Sequence, residues 1–323
     1  IILNRGKMSQ IRNLLDVKFT EDIFFELMPE WKDSAIKINM LNGGITNKLY
    51  RVHSKKGNIT VRIYGDKTEI FINRDVEVEN MKRMAKVGIS PKLLKYLPEN
   101  RVTIVEFIPG YVLKNSDFLK EELYEKIVKP IRKIHKSEVV LPYLFNPLSE
   151  VKKMYRILNN LEINCPEFDI KGVIKNLEKL SEITNIPESE FTASHNDLLA
   201  DNFVLAEDSH QGKYNEPMYL IDWEYAGMAP RYYDLADMFQ EILVPRDVEK
   251  NIVEHYCEGK EFEETLYLID LFKPFPDIYW FLWSMIQQNI SKIKFDFYNY
   301  GKVKYENAQC NIKFIQEKIS LKI

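Results

Sequence analysis

Cysteine, long apolar runs and an excess of one charge are all scarce in this sequence, and each shortage excludes a class of protein. Only three of the 323 residues are cysteines, Cys165, Cys257 and Cys310, and none has the paired spacing of a zinc site. With so few cysteines a disulfide framework is excluded. Unpaired cysteines are typical of proteins in a reducing compartment, and we therefore expect a cytoplasmic protein. The most apolar stretch, 278–286, is too short for a membrane span and predicts a buried helix.

The charges of the chain nearly balance. There are 45 lysines and arginines against 48 aspartates and glutamates, a formal net charge of −3, and both signs are mixed along the sequence. Without a basic face, the sequence argues against nucleic acid and anionic membranes as partners. Its apolar content is ordinary for a globular protein, and the chain is long enough for a packed core.

The first third of the chain alternates apolar and polar residues, which is typical of strands. The predicted strands are 37–40, 48–53, 59–64, 93–97 and 101–107. One helix is predicted between the third and fourth strands, over 71–87, with Val78, Met81 and Ala85 at helical spacing.

After Pro109-Gly110 the pattern becomes mainly helical. Three amphipathic helices are predicted at 116–136, 147–162 and 168–184. A short β region follows at 195–205, with its hairpin partner at 218–223. This order predicts an α+β fold with two lobes. A small N-terminal antiparallel β lobe takes residues 1–108, and a large α-helical C-terminal lobe takes residues 109–323.

One string of residues has the spacing of a kinase catalytic loop: His195-Asn-Asp197-Leu-Leu-Ala-Asp-Asn202. Phosphoryl transfer to an alcohol needs a carboxylate that accepts the hydroxyl proton, and Asp197 fits that role. Mg²⁺ needs hard oxygen ligands, which Asn202 and Asp222 supply. Asp222 ends a β-run that can pair with the strand after Asn202, so both can reach one ion. Each residue alone is more typical of a turn or a cap, and the combined spacing carries the prediction.

The β-rich lobe offers the matching phosphate-binding groups. Residues 42–47 form a glycine-rich turn whose amides can lie over phosphates, although the same residues also suit a plain hairpin turn. Arg62 is a cation in an apolar strand, either a surface charge or a phosphate ligand. Such a ligand needs an acidic partner on the next helix. Glu77 shares a face with Met81 whereas Glu79 falls among charged residues, so a buried Arg62–Glu77 pair is predicted.

Together these strings resemble the choline/ethanolamine kinase family, within the wider aminoglycoside-phosphotransferase-like group, over nearly the whole chain. Asn42-Gly-Gly-Ile-Thr-Asn47 is similar to that family's nucleotide loop, and Val61-Arg-Ile-Tyr-Gly65 to its strand with the phosphate-binding arginine. Ser194-His-Asn-Asp-Leu198 and Ile221-Asp-Trp-Glu-Tyr225 resemble its two signature motifs. The resemblance implies a protein-kinase-like fold, kinase activity, and ATP and Mg²⁺ as cofactors.

The resemblance also completes the set of predicted site residues. Glu106-Phe-Ile-Pro-Gly110 looks like the family's hinge for adenine, and Asp234 matches an aspartate that braces the catalytic loop. The predicted catalytic residues are Asp197, His195 and Asn202, and the predicted metal ligands are Asn202 and Asp222. The predicted nucleotide-binding residues are Asn42, Gly43, Gly44, Thr46, Asn47, Arg62, Glu77, Glu106 and Ile108.

Choline, a quaternary ammonium ion, has no N–H to donate, so its pocket must rely on aromatic faces and diffuse negative charge. Trp280 and Trp283 lie three residues apart on one predicted helix and can face one cavity. The further candidates are Glu224, Tyr225, Tyr233 and Tyr300, although each aromatic residue suits a core position equally well. Segments 279–284 and 295–300 resemble the part of the family that contributes the choline cage, but ethanolamine kinases carry a similar segment.

Choline is therefore the predicted acceptor, with phosphocholine as the product, and ethanolamine is the first alternative. An aminoglycoside or other amine kinase is the second, although such substrates call for several acidic residues where this chain offers aromatic ones. An inactive kinase-fold scaffold is the alternative outside enzymes, and it requires a complete motif set that is not used. The sequence leaves a monomer and a homodimer open.

Overall fold

A five-stranded antiparallel sheet forms the N-terminal part of the structure. The computed structural model describes residues 14–15, 17–41, 47–65, 67–207 and 217–320. The strands are β1 (Ile36–Leu41), β2 (Lys48–Ser54), β3 (Gly57–Ile63), β4 (Leu93–Leu97) and β5 (Val102–Glu106). They lie in the order β1-β2-β3-β5-β4, and every neighbouring pair is antiparallel.

One face of this sheet packs on helix α1 (Glu21–Leu27) and the residues around it. Val61 in the central strand β3 pairs with Tyr50 on β2 and Ile104 on β5, and all three are buried in the same apolar cluster. Because successive side chains of a strand alternate between faces, the next residue, Arg62, lies on the opposite face. The strand therefore places its one cationic side chain, Arg62, on the face opposite this apolar cluster.

Helix α2 (Arg74–Val87) connects β3 to β4. The Asn73 side chain caps its first turn by accepting backbone N–H groups, and Gly88, with a φ of 88°, ends it in the left-handed conformation that glycine favours. The sequence predicted a helix from 71. It begins at Arg74 because Thr68–Ile70 forms a separate 3₁₀ turn before the cap.

The C-terminal part of the chain is mostly helical. Its helices are α3 (Tyr124–His135), α4 (Pro147–Asn160), α5 (Ile170–Thr184), α6 (Arg231–Ile242), α7 (Arg246–Cys257), α8 (Phe262–Phe272), α9 (Pro274–Ile290) and α10 (Phe297–Ser320). These helices share one large apolar core, in which α9 is buried along most of its length, as the apolar stretch predicted. Gly301 lets α10 approach α9, because a Cβ there would lie 2.0 Å from the Ser284 hydroxyl.

Two small sheets carry the catalytic strings. Strands β6 (Gly110–Val112), β8 (Phe203–Ala206) and β9 (Met218–Leu220) form one, and β7 (Thr192–Ser194) pairs with β10 (Gly227–Ala229) in the other. The predicted hairpin is thus present as β8 and β9. Just beyond it, the backbone N–H of Ile221 donates to the Asn202 carbonyl at 3.0 Å, which brings the two strings together.

The predicted fold class, a β-rich part followed by a larger helical part, is confirmed, although several predicted element bounds differ from the observed ones. The start of the predicted helix 116–136 is wrong, since Asn115–Leu119 and Glu121–Leu123 are 3₁₀ turns. The Asp117 carboxylate accepts the backbone N–H of Lys114 at 2.8 Å, which stabilises the turn in place of a helix.

None of the helices in the described ranges has the length and apolar character needed to cross a membrane. The division of the chain between residues 108 and 109 stays a prediction.

Candidate active site

A cavity of about 480 Å³ opens between the first sheet and the helical part. Strands β3 and β5 supply one wall, and the catalytic string and helix α9 supply others. Most of the predicted site residues line it: Asn47, Arg62, Glu106, Ile108, Asp197, Asn202, Asp222, Glu224, Tyr225, Trp280, Trp283 and Tyr300. A cavity of this size suits a small-molecule ligand.

Three described residues of the predicted set do not line the cavity. His195 and Glu77 are fully buried behind it, and Glu77 binds the lining residue Arg62. The Tyr233 ring is also buried and packs against Phe145, with 5.1 Å between the ring centroids. Because α6 turns this ring into the core, the structure does not bring Tyr233 to the cavity wall.

Only part of the predicted nucleotide-binding set is described. Asn42, Gly43, Gly44 and Thr46 lie outside the described residues. Asn47 lines the cavity, and its side-chain oxygen accepts the backbone N–H of Gly65 at 3.2 Å. Glu106 and Ile108 also line it, at the end of β5 where the hinge was predicted.

The guanidinium of Arg62 lies among three carboxylates. Its Nη1 is 2.8 Å from Glu77 Oε1 and 2.9 Å from Asp222 Oδ1, and its Nη2 is 2.6 Å from Glu224 Oε2. Burial disfavours the charged guanidinium, but Asp222, Glu77 and Glu224 outweigh burial and hold the pKa of Arg62 well above its usual value. The predicted Arg62–Glu77 ion pair is therefore present, whereas the side chain of Glu79 is 40% exposed.

A second arginine, Arg74, completes this cluster and was missed in the sequence. Its Nη1 is 2.7 Å from Glu77 Oε2 and 2.9 Å from Glu224 Oε2. Its Nη2 donates to Thr68 Oγ1, and its Cζ lies 4.1 Å from the centroid of the Tyr64 ring. The available signal was its position three residues before Glu77, one turn away on the same helix face. The two arginines together fix Glu77 and Glu224.

Asp197 is buried beside Asn202, whose Nδ2 donates to the Asp197 backbone oxygen at 2.8 Å and to Oδ2 at 3.4 Å. The other carboxylate oxygen, Oδ1, is buried and receives no hydrogen bond from the described part of the chain. Burial raises the pKa of Asp197 well above its usual value, and the nearby Asp237 and Asp222 raise it further. An unpaired carboxylate oxygen at a cavity wall is suited to a hydroxyl ligand.

Asp234 holds the catalytic loop by its backbone. Its carboxylate accepts the N–H groups of His195 at 2.9 Å and Asn196 at 2.7 Å, and Asn196 has the left-handed φ of 64°. His135 Nε2 lies 3.0 Å from the same carboxylate, and its Nδ1 lies 2.8 Å from the Tyr256 hydroxyl. This geometry is that of the brace predicted for Asp234, with His135 as a satisfied packing residue.

His195 itself connects the two catalytic strings. Its Nε2–H donates to the Ile221 carbonyl at 2.9 Å, and its ring packs on Trp223 with centroids 4.6 Å apart. Burial lowers its pKa below the usual value. His195 is therefore placed to orient the loop through hydrogen bonds and does not reach the cavity.

Aromatic side chains gather at one end of the cavity. The Trp280 and Trp283 rings meet edge to face with centroids 5.8 Å apart, Tyr225 lies 5.1 Å from Trp280, and Tyr300 lies 6.4 Å from Trp283. The Trp280 indole N–H donates to Asp237 Oδ1 at 2.7 Å, which fixes that ring. The predicted acceptor aromatics other than Tyr233 are thus brought together.

Two carboxylates on α6 stand at this aromatic end and were missed. Glu241 lines the cavity, and its Oε1 accepts the Tyr300 hydroxyl at 3.0 Å and lies 2.7 Å from Lys304 Nζ. Asp237 is buried behind the wall. Together with Asp234 they fall at i, i+3 and i+7, which places all three on one helix face, and that spacing was a usable signal.

The donor set suits a hard divalent cation. Asn202 commits its amide nitrogen to Asp197, which leaves amide oxygen as its ligand atom, and Asp222 supplies a carboxylate. Oxygens of Glu77, Asp222 and Glu224 lie within 4.8 Å of one another, and arginines contact all three carboxylates. Asp222 differs from Glu77 in lining the cavity, and from Glu224 in contacting one arginine instead of two. Asn202 and Asp222 offer an amide oxygen and a carboxylate of the kind that Mg²⁺ prefers, and they stay the predicted metal ligands.

Known proteins with related sequences identify the family to which this chain is similar. The sequence model of the choline/ethanolamine kinases matches residues 38–265. A probable ethanolamine kinase from Arabidopsis thaliana is 27% identical over 318 residues, covering 90% of this chain and 83% of that protein. Probable choline kinase 1 from the same plant is 25% identical over 303 residues, covering 84% and 85%.

The structure also resembles solved kinases. Choline kinase LicA from Streptococcus pneumoniae superposes with a TM-score of 0.74 at 24% identity, covering 91% of this chain and 98% of LicA, and a second LicA structure is a complex with AMP. The protein-kinase-like fold that the sequence predicted is confirmed. Because the family's sequence model matches well over half of the residues, this chain belongs to the choline/ethanolamine kinase family.

Proposed function

We propose that this chain is a choline kinase, which transfers the γ-phosphate of MgATP to the hydroxyl of choline and releases phosphocholine and ADP. The observation that carries the choice of acceptor is the aromatic end of the cavity. Tyr225, Trp280, Trp283 and Tyr300 line the same cavity as Asp197.

A quaternary ammonium ion binds aromatic faces and needs no hydrogen-bond acceptor. The carboxylates at the aromatic end already have donors from the protein, since Asp237 accepts from Trp280, and Glu241 accepts from Tyr300 and Lys304. These contacts favour an acceptor that uses diffuse negative charge over one that must find free carboxylate oxygens.

The nucleotide occupies the other part of the cavity in this proposal. Arg62 is the cation for the phosphates and Glu77 holds it in place. Backbone groups of Glu106 and Ile108 bind the adenine at the end of β5. The AMP complex of LicA supports a nucleotide in this fold.

Asn202 and Asp222 would hold Mg²⁺, which would supply the positive charge that neutralises the phosphates. Asp197 orients the choline hydroxyl and accepts its proton. The hydroxyl oxygen forms a bond to the γ-phosphorus while the bond from phosphorus to the leaving oxygen of ADP breaks. Positioning and charge stabilisation, without a covalent intermediate, supply the rate.

Ethanolamine is the second candidate acceptor. The Arabidopsis relative that covers 90% of this chain is a probable ethanolamine kinase, and Glu241 places a carboxylate in the cavity that a primary ammonium group can use.

A coupled ADP-release assay tests the proposal with MgATP and saturating choline, ethanolamine or kanamycin, beside a control without acceptor. We expect the highest kcat/KM with choline. Preference for ethanolamine would overturn the acceptor and keep the kinase, and ADP release that no acceptor stimulates would contradict both.

A further inference from the structure

A lysine is buried directly behind the aromatic end of the cavity. Lys304, on α10, is 4% exposed, and its Nζ lies 2.7 Å from Glu241 Oε1 and donates to the Gln240 carbonyl at 2.6 Å. Glu241 lines the cavity, whereas Lys304 does not. A buried ammonium group needs such partners, because burial without them is costly.

Two donors meet on the same oxygen of Glu241. The Tyr300 hydroxyl, one helical turn before Lys304, donates to Oε1 at 3.0 Å, and the Lys304 ammonium lies 5.6 Å from the centroid of the Tyr300 ring. Asp277, with one oxygen 3.9 Å from Lys304 Nζ, stands further along the same buried network. The Glu241 carboxylate is therefore held in place by Tyr300 and Lys304, and the Lys304 ammonium offsets its negative charge from the side away from the cavity.

We propose that Lys304 is a specificity-determining residue: by engaging the Glu241 carboxylate it makes the cavity favour a quaternary over a primary ammonium group. This inference rests on the proposed function and deepens it, since it concerns the same acceptor site.

The physical reason lies in what each ammonium group requires. A primary ammonium has three N–H donors, and each must find an acceptor when it leaves water. Lys304 and Tyr300 both contact Oε1 of Glu241, so a primary ammonium at that oxygen must compete with two existing donors, and the Lys304 charge weakens the attraction of the whole carboxylate for it. A quaternary ammonium has no such donors and binds the aromatic faces, so the Lys304–Glu241 pair does not hinder it in the same way.

The change Lys304→Met keeps the length of the side chain and removes its charge. We expect the ratio of kcat/KM for ethanolamine to that for choline to rise about tenfold or more, with the KM for ATP changed by less than about twofold. The control is Lys302→Met on the same helix, where the lysine side chain is 50% exposed, and it should leave the ratio unchanged. A folded Lys304→Met variant with the ratio of the parent enzyme would overturn the proposal.

A second pair of variants decides the matter if Lys304→Met does not fold. Glu241→Gln leaves the Lys304 ammonium without its main counter-charge beside the acceptor, so the KM for choline should rise about tenfold. Combining Glu241→Gln with Lys304→Met removes both charges and should restore the choline kcat/KM to within about threefold of the parent. A double variant no better than Glu241→Gln would contradict the inference.

Assays of the parent enzyme with both acceptors distinguish failure of the proposed function from failure of the role given to Lys304. Its own preference tests the proposed function, whereas the change in ratio between the parent and the variants tests the role of Lys304. Thermal unfolding of each variant confirms that folded protein is compared.

Discussion

The change Glu77→Gln removes the carboxylate that joins two arginines and keeps its shape. Glu77 is fully buried and receives Arg62 Nη1 on Oε1 at 2.8 Å and Arg74 Nη1 on Oε2 at 2.7 Å. A glutamine can accept one of these bonds, but its NH₂ group must face the other guanidinium donor. One charge-assisted bond and the negative charge are lost.

The loss of folding free energy depends on which ion-pair partners the two arginines retain. Removing one partner of a buried ion pair generally costs about 3–5 kcal/mol. Both arginines retain Glu224, whose Oε2 lies 2.6 Å from Arg62 Nη2 and 2.9 Å from Arg74 Nη1, so we expect the lower value, about 3 kcal/mol. For a chain of 323 residues, that lowers the melting temperature by about 4 °C. A displaced Arg62 should also lower kcat/KM for ATP about 100-fold.

Glu79→Gln is the matched control, because it makes the same change two residues further along α2. Glu79 pairs with Arg83 at 2.8 Å on a surface where its side chain is 40% exposed, so neither the melting temperature nor turnover should change measurably. Thermal unfolding and steady-state kinetics of both variants provide the measurements. If Glu77→Gln melts and turns over like Glu79→Gln, the reasoning about the arginine cluster is wrong.

Three further changes test other parts of the structure. Asp197→Asn should lower kcat about 1000-fold while calorimetry shows ATP binding within about twofold of the parent; near-normal turnover would exclude Asp197 as the base. Trp283→Leu should raise the choline KM about tenfold and Trp283→Phe clearly less, because only phenylalanine keeps an aromatic face; equal effects would place the ammonium elsewhere. Asp270 is buried, which raises its pKa, but Lys273 and Arg246 lower it more, so its folded-state pKa lies below the usual value. The stability that Asp270 contributes is therefore present above about pH 4 and lost as the pH falls through the lowered folded-state pKa. Asp270→Asn should melt about 4 °C lower at pH 7, a gap that closes towards pH 3; a gap independent of pH would contradict this.

Local patterns predicted the elements that depend on neighbouring residues. The predicted strand 93–97 has the bounds of β4, and helical spacing alone selected Glu77 over Glu79 as the partner of Arg62. Alternation and helical periodicity are properties of short segments, so they can be recognised without knowledge of the tertiary structure. The exception at Asp117 shows a side-chain-to-backbone bond that outweighs helical periodicity.

Contacts between distant segments could not be predicted in the same way. Arg74 binds Glu224 across 150 positions, and Lys304 binds Glu241 from a different helix. Both pairs depend on how the elements pack. For Tyr233 the difficulty is different, since a buried aromatic residue beside a motif suits a cavity wall and a core equally well, and only the direction of α6 decides.

The most direct test of the proposed function is a competition experiment. Equimolar choline and ethanolamine are mixed with MgATP and the enzyme, and ³¹P NMR follows the two phosphomonoesters at early times. Since both acceptors share one site, the product ratio equals the ratio of their kcat/KM values. We expect phosphocholine in clear excess, and an excess of phosphoethanolamine would contradict the assignment of the aromatic cavity to a quaternary ammonium group.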